Sequence, residues 1–419
     1  MSVFTALFAG VSGINTNGEA VSIIGDNIAN VNTHGFKSSR PEFEDVMAGT
    51  SSISGLGSKL EKSKITFSQG GFESTGIITD FAVEGKGFFI AKDTSDNSLY
   101  YTRAGQFSVD KDGYLTHTSG YRLQGYGVSE STGELLTTTD DMQLSYAPVP
   151  PSATTEIAVV ANLDAQDVAP STFSISDPAG TSNFSTGVTV YDSLGADHLV
   201  TTYFRKTASN SWQWYAVVDG SELTGGTDAI QAQGVITFSS TGAQTAFAQS
   251  TNDFDFLGAS QSQAITFDFG TTTTSGTGLD GVTQFAQASA INNMSQDGYA
   301  AGSLTTIEIG GDGTISGNYT NGRTATLGQV ALAVFQNEQG LERRGGNVFG
   351  VTIDSGEPLV AAPESGGRGT ILSKTLEQSN VDLAAELIKM VIIQRGFQAN
   401  SRTISLVNEL LGSLVSIGS

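Results

Sequence analysis

Residues 381–415 read VDLAAELIKMVIIQRGFQANSRTISLVNELLGSLV. Leu383, Met390, Phe397, Ile404 and Leu411 recur at seven-residue intervals and are all apolar, the mark of a long helix of coiled-coil type. The companion positions are Leu387, Gln394, Ser401, Asn408 and Val415, whose polar middle weakens a two-stranded zipper and restricts its register. Ile388, Val391, Ile392, Leu406, Val407, Leu410 and Leu414 widen the apolar stripe beyond a two-helix seam. So wide a stripe calls for more than one neighbour, and roughly 35 residues rising about 1.5 Å each give a rod of about 50 Å, longer than a compact domain of this size needs. The first neighbour is at the other end of the chain. There Phe4, Leu7, Val11, Ile14, Gly18, Val21, Gly25 and Ile28 repeat the spacing, with glycines where two backbones could approach closely. The two ends are predicted to pair as a coiled coil, and the residues between them form a long excursion.

Composition bounds that excursion. The 419 residues include 51 glycines and only 8 prolines, which favours short strands and turns. The expected fold is mixed and mainly β: long terminal α-helices plus two nested antiparallel β domains. A net charge of −22 argues against nucleic-acid binding, because neutralising phosphates needs a basic patch. The lack of cysteine excludes disulfides, thiol catalysis and cysteine-ligated metals. The first 18 residues carry no charge, but no basic segment precedes the apolar positions, since the first Lys or Arg is Lys37. Polar residues interrupt the stretch, so neither a cleaved signal peptide nor membrane insertion is expected.

Beyond the first helix, Ala29-Asn30-Val31-Asn32-Thr33-His34-Gly35-Phe36-Lys37-Ser38 ends the helix and turns the chain. This motif behind an uncharged amphipathic helix resembles the axial proteins of the bacterial flagellum: rod, hook and hook-associated proteins. Asn380-Val381-Asp382-Leu383, followed by Gln394-Arg395 and Ala399-Asn400, resembles the matching signature at the other end. Together the two are far more specific than either alone.

The intervening chain divides into four parts. Residues 1–30 with 376–419 form a terminal helical domain, and 31–78 with 366–375 an extended, glycine-punctuated connector. Residues 79–146 with 288–365 form a first β domain, opened by the strands from Phe81 and Tyr101 and by the Asp112-Gly113 turn signal. Residues 147–287 form a second β domain inserted into a loop of the first, entered through Pro148, Pro150 and Pro151. A Thr/Gly-rich stretch at 271–278 marks a flexible segment near its return. The turn Tyr191-Asp192-Ser193-Leu194-Gly195 resembles the outer domain of hook proteins, which the shorter rod proteins lack.

Few groups suggest chemistry. Asp110-Lys111-Asp112-Gly113 lacks the later acids of a calcium loop, and Glu84-Gly85-Lys86-Gly87 lacks the spacing of a phosphate loop. His34, His117 and His198 are scattered and read as surface or turn residues. Asp140-Asp141 and Asp253 with Asp255 read as solvated turns rather than a glycosidase pair. No enzyme, cofactor or metal site is expected.

The resemblance implies a hook subunit, stacked in many copies into a curved tube that joins rod to filament and transmits torque. It implies an extracellular position in the flagellum, and partners that include further copies of the chain, the distal rod protein, the hook cap, the hook–filament junction protein and the flagellar type III export apparatus. Subunit packing would fall to Phe4, Leu7, Val11, Ile14, Val21, Ile28, Leu383, Leu387, Met390, Phe397, Ile404 and Leu411. Another axial protein is the nearest alternative, and a secreted β-rich adhesin the alternative from a different class.

Overall fold

The computed structural model describes residues 3–47, 55–129 and 132–417. These are mainly β, with one long helix towards each end: α1 (Val3–Ala29) and α2 (Leu383–Ile417). Asp382 opens α2 by accepting the amides of Ala384 and Ala385 at 2.9 and 3.1 Å, which satisfies donors the first turn leaves free. The helix therefore begins at Leu383, and Thr375–Glu377 before it is a strand paired with Phe72–Ser74.

The chain forms two compact units. The first comprises Met1–Tyr146, Thr306–Asn318 and Thr324–Ser419, and the second Ala147–Thr305 with Tyr319–Arg323. Residues 288–305, which the sequence assigned to the first β domain, thus belong to the second. The reason is strand pairing: Ala290–Gln296 lies antiparallel to Glu156–Asn162 inside that unit.

In the first unit, Phe88–Lys92 is buried on both faces, which its continuous apolar run requires. Phe89 enters a cluster with Phe81, Phe107, Leu123 and Leu332, while Phe88 and Ile90 enter another with Tyr101, Phe335 and Phe349. A separate hairpin, Ser39–Met47 with Gly55–Ile65, follows α1.

The second unit packs a six-stranded antiparallel sheet and a three-stranded sheet around Trp212, Trp214, Phe204, Phe267 and Phe269. Its neck is a pair of bridges, Val149 to Gly302 and Ser152 to Tyr299. The Thr271–Gly278 stretch is not a loose return. It lies within the unit, where Thr273 and Gly278 exchange backbone hydrogen bonds with Gln244 and the Asp280 carboxylate accepts from Thr271.

Two of the histidines are buried, contrary to expectation. His198 occupies an inward position of the alternating strand Asp197–Ala208 and stacks on Phe256 between the Asp192 and Glu222 carboxylates. His117 is likewise enclosed, at the end of the strand Leu115–His117. Asp141 is no solvated turn residue either: it accepts from Arg122, Gln124 and Lys92. Burial alone would raise its carboxyl, but those bonds outweigh it and hold the group below its ordinary value.

Candidate functional site

The helix pair begins with small residues. A methyl group added at Gly10 would come within 2.9 Å of Ile404, and one added at Gly396 within 3.3 Å of Asn17. Gly13 faces the Asn400 amide still more closely, and Asn27 donates to Glu386 at 3.3 Å. As positions rise along α1 they fall along α2, so the helices run antiparallel with close backbones. Ala20, Ile24, Glu386 and Val407 are buried as well, and Thr16 is covered by the hairpin that follows α1, donating to the Ser58 carbonyl at 3.0 Å.

This seam lies one residue before the stripes that apolarity picks out. On α1 it uses Gly10, Gly13, Ala20, Ile24 and Asn27 rather than Val11, Ile14, Val21 and Ile28. On α2 its second set is Glu386, Asn400 and Val407 rather than Leu387, Ser401 and Asn408. The side chains of Leu414 and Val415 lie outside the described residues.

The large apolar residues are therefore left open. Phe4, Val11, Leu383, Leu387 and Phe397 are exposed, Phe397 by 42%, while Leu7, Ile14, Val21, Ile28, Met390, Ile404 and Leu411 are half-buried. Ile388, Val391, Ile392, Leu406 and Leu410 are exposed too, as is Phe8, which the sequence reading passed over because it falls off the seven-residue count.

The two motifs meet at the foot of this pair. Asn30 closes α1 by donating to the Asp26 carbonyl at 2.9 Å, and its side-chain oxygen accepts from Thr33 at 3.1 Å. Gly35 has φ +68° and lies against the Arg103-Ala104 backbone, where no β-carbon fits, and its amide donates to the Glu377 carbonyl at 2.7 Å. Phe36 is buried beneath the Arg343 guanidinium, 4.5 Å from its ring centre. Asn380 accepts the Ser38 amide at 2.7 Å and donates to the Thr66 and Ser68 carbonyls. Of the remaining motif residues, Val381 is half-buried, Ala29, Gln394, Arg395 and Ala399 are exposed, and Asn400 meets Gly13.

At the centre is a buried charge cluster. Lys37 donates to Glu377 at 2.6 Å and to the Ser68 carbonyl at 2.9 Å, and both charged side chains are fully enclosed. Arg103 lies 3.6 Å from the other Glu377 oxygen and donates to the carbonyls of Val83 and Gly85. Burial pushes Lys37 below its ordinary value, against the attraction of Glu377, and it pushes Arg103 down likewise. Two cations share one carboxylate. Nothing in the local sequence pointed to Glu377 or Arg103, because their partners are remote along the chain.

A helix at each end with its large side chains open, fixed to β structure by buried charge, defines a structural subunit whose surface is made for protein packing. The sequence comparisons give the particular family. Residues 162–299 match the model described as the flagellar basal body protein FlaE D2 domain, and 82–168 the flagellar hook protein FlgE/F/G D1 domain. Residues 7–37 match the flagella basal body rod protein, and 372–417 the flagellar basal body rod FlgEFG protein C-terminal model. The chain is 34% identical to the flagellar hook protein FlgE of Escherichia coli (97% of this chain, 98% of that one). It is 30% identical to that of Treponema pallidum (98% and 99%), and 31% identical to that of Brucella suis over the whole of both chains. The crystal structure of Helicobacter pylori flagellar hook protein FlgE2 shares the fold, with TM-score 0.55 and 16% identity, covering 73% of this chain and all of that one. The chain belongs to the flagellar hook protein family and is a structural subunit of the bacterial flagellar hook, not an enzyme. Among the described residues no helix is long and apolar enough to cross a membrane.

Proposed function

We propose that the chain polymerises helically into a short curved tube that joins rod to filament and transmits torque while bending. α1 and α2 form its inner layer as a coiled-coil pair packed against neighbouring copies through Leu7, Val11, Ile14, Leu383, Leu387, Met390, Phe397, Ile404 and Leu411. The nested β units form the outer layers. The observation that carries this reading is the open apolar face on both helices, with Phe4, Phe8, Val11, Leu383, Leu387 and Phe397 exposed beside a seam where Gly10, Gly13 and Gly396 bring the two helices close. One copy cannot cover that face. A contact between different patches on successive copies repeats without closing and builds a filament. Export through the flagellar type III apparatus without a cleaved signal peptide, and contacts with the distal rod, hook cap and hook–filament junction proteins, belong to the same reading.

The test is electron microscopy of the purified full-length chain, with labels at both ends. Tubes with both labels inside are expected. A monodisperse protein at every concentration, or tubes with the ends on the outer surface, would overturn the reading.

A further inference from the structure

Each terminal helix carries a second stripe that neither their common seam nor the neighbouring hairpin covers. On α1, Phe8, Val11, Asn15, Glu19, Ser22 and Ala29 follow one another at helical spacing, and all are exposed. On α2 the stripe is Ile388, Ile392, Arg395, Arg402, Leu406 and Leu410, likewise all exposed. Both stripes change character along their length. Large apolar side chains stand at the start of the first and at both ends of the second, and charge stands in the middle of each.

Those charges are of opposite sign. α1 holds no Lys or Arg, and its acids are Glu19 and Asp26. Asp26 is engaged within its own copy, where it accepts from Arg343 and Asn30, so Glu19 is the acid left to meet a partner. On α2 the positions three and four residues from Arg395 and Arg402 are Val391, Ile392, Gln398, Ala399, Ser405 and Leu406, so neither arginine has an acid beside it on its own helix. A lone exposed arginine carries no such meaning, since most are simply solvated. In a chain with 20 basic and 42 acidic residues, two of them two turns apart make a positive patch on an otherwise acidic molecule.

We infer that α1 of one copy docks antiparallel on the open stripe of α2 of the next, with its Glu19 held between Arg395 and Arg402. Neighbouring copies in a filament point the same way, and the two helices are antiparallel within a copy, so α1 of one copy also runs antiparallel to α2 of the next. Within a copy Gly13 stands opposite Asn400 and Asn17 opposite Gly396. A displacement of about four residues from that register, roughly 6 Å, sets Glu19 between the arginines, Val11 beside Leu406, Phe8 beside Leu410 and the small Ala29 beside Ile388. Without the displacement Val11 would meet Arg402. The two arginines are about 10 Å apart along the axis, within reach of one carboxylate between them. A charge pair of this kind sets partner and register more than affinity. The contact joins unlike faces and so repeats without closing. The inference rests on the polymer reading and adds to it which face meets which.

Charge exchange in the full-length chain tests the docking. Glu19→Arg brings three cations together and should raise the critical concentration for tube growth about tenfold or more, with the monomer melt unchanged. Adding Arg395→Glu and Arg402→Glu to that chain restores the match with the signs reversed, and assembly should return towards the parent level. Assembly of Glu19→Arg at the parent's critical concentration, or no recovery in the triple variant, would overturn the docking. The chain has no cysteine, so an engineered pair reads the register without background. Tubes carrying both Val11→Cys and Leu406→Cys should give a ladder of covalent multimers on oxidation, while each single variant stays monomeric. Monomers alone, a link within one chain, or multimers from a single variant would overturn it as well, and this arm decides the matter if a charge variant fails to fold. A parent chain that forms no tubes refutes the polymer reading itself, whereas tubes indifferent to the charge exchange refute only this contact.

Discussion

Removing the Glu377 carboxylate should damage the first unit more than removing the Lys37 charge that pairs with it. Glu377→Gln keeps the shape but leaves Lys37 and Arg103 as two buried cations with no anion between them. At an effective dielectric constant of about 20, a pair 2.6 Å apart attracts by about 6 kcal/mol, much of it offset by desolvation. Breaking such a pair from one side costs about 3 to 5 kcal/mol, because the remaining charge stays buried. Lys37→Met instead leaves Glu377 facing Arg103 at 3.6 Å, with the Gly70 amide still donating to it at 2.9 Å. Its main loss is the 2.6 Å bond to Glu377, worth about 1 to 3 kcal/mol while Arg103 still balances the charge, since Asn380 continues to donate to the Ser68 carbonyl. Hydrogen exchange through a urea series, read at the Gly35 and Gly70 amides that donate to Glu377, measures the joint directly. Both tryptophans of the chain, Trp212 and Trp214, are in the core of the second unit, so their fluorescence is an internal reference that should not move. Equal costs for the two variants, or a larger one for Lys37→Met, would refute the charge-balance reasoning.

Three other outcomes are expected. Phe397→Ala should leave the monomer melt within about 1 kcal/mol of the parent, yet cost about 3 to 5 kcal/mol per subunit on assembly if neighbouring copies bury the ring; a monomer destabilised as much as the tube would place Phe397 in an intrachain role. Asp192→Ala should weaken the second unit at neutral pH by about 1 to 3 kcal/mol, read by tryptophan fluorescence, because the carboxylate accepts from His198 and from the Leu194 and Ala196 amides. Burial would raise this carboxyl, but the bonds outweigh it and hold it below its ordinary 3.8, so its contribution is present above about pH 4 and lost as pH falls through the lowered value; a gap between variant and parent that does not narrow in acid refutes the assignment. Because Val149 and Gly302 exchange backbone hydrogen bonds of 2.8 and 3.1 Å, a short Gly/Ser linker can replace the residues between them. That chain should still form tubes, straighter or mechanically weaker, and a folded product that forms none would show the second unit to be an assembly element.

The heptads at both ends were legible because a seven-residue recurrence of apolar side chains survives in any context. What each stripe packs against was not. Ranking positions by apolarity selects Val11, Val21, Leu387 and Phe397, but two helices of one chain come closest where side chains are smallest, at Gly10, Gly13 and Gly396. The one-residue offset between the observed seam and the apolar stripe is thus itself informative. A helix pair meant to be complete would bury its largest residues between the two strands. This pair closes on glycines, with Ile24 and Val407 buried beside them, and leaves Leu383, Leu387 and Phe397 exposed. The motifs divide the same way. Asn30, Gly35, Lys37 and Asn380 stood out in the sequence, yet the partner that explains Lys37 is 340 positions away, and no local pattern marks Glu377 as buried. Sequence periodicity reports which face of an element is apolar, whereas a joint between the two ends of a chain is written in single residues that acquire meaning only when the chain returns. The joint and the open stripe also depend on each other. A subunit that transmits torque must pass load from its helices to its β structure, and a buried Lys37–Glu377–Arg103 cluster resists shear at that point because any displacement strands a charge away from water.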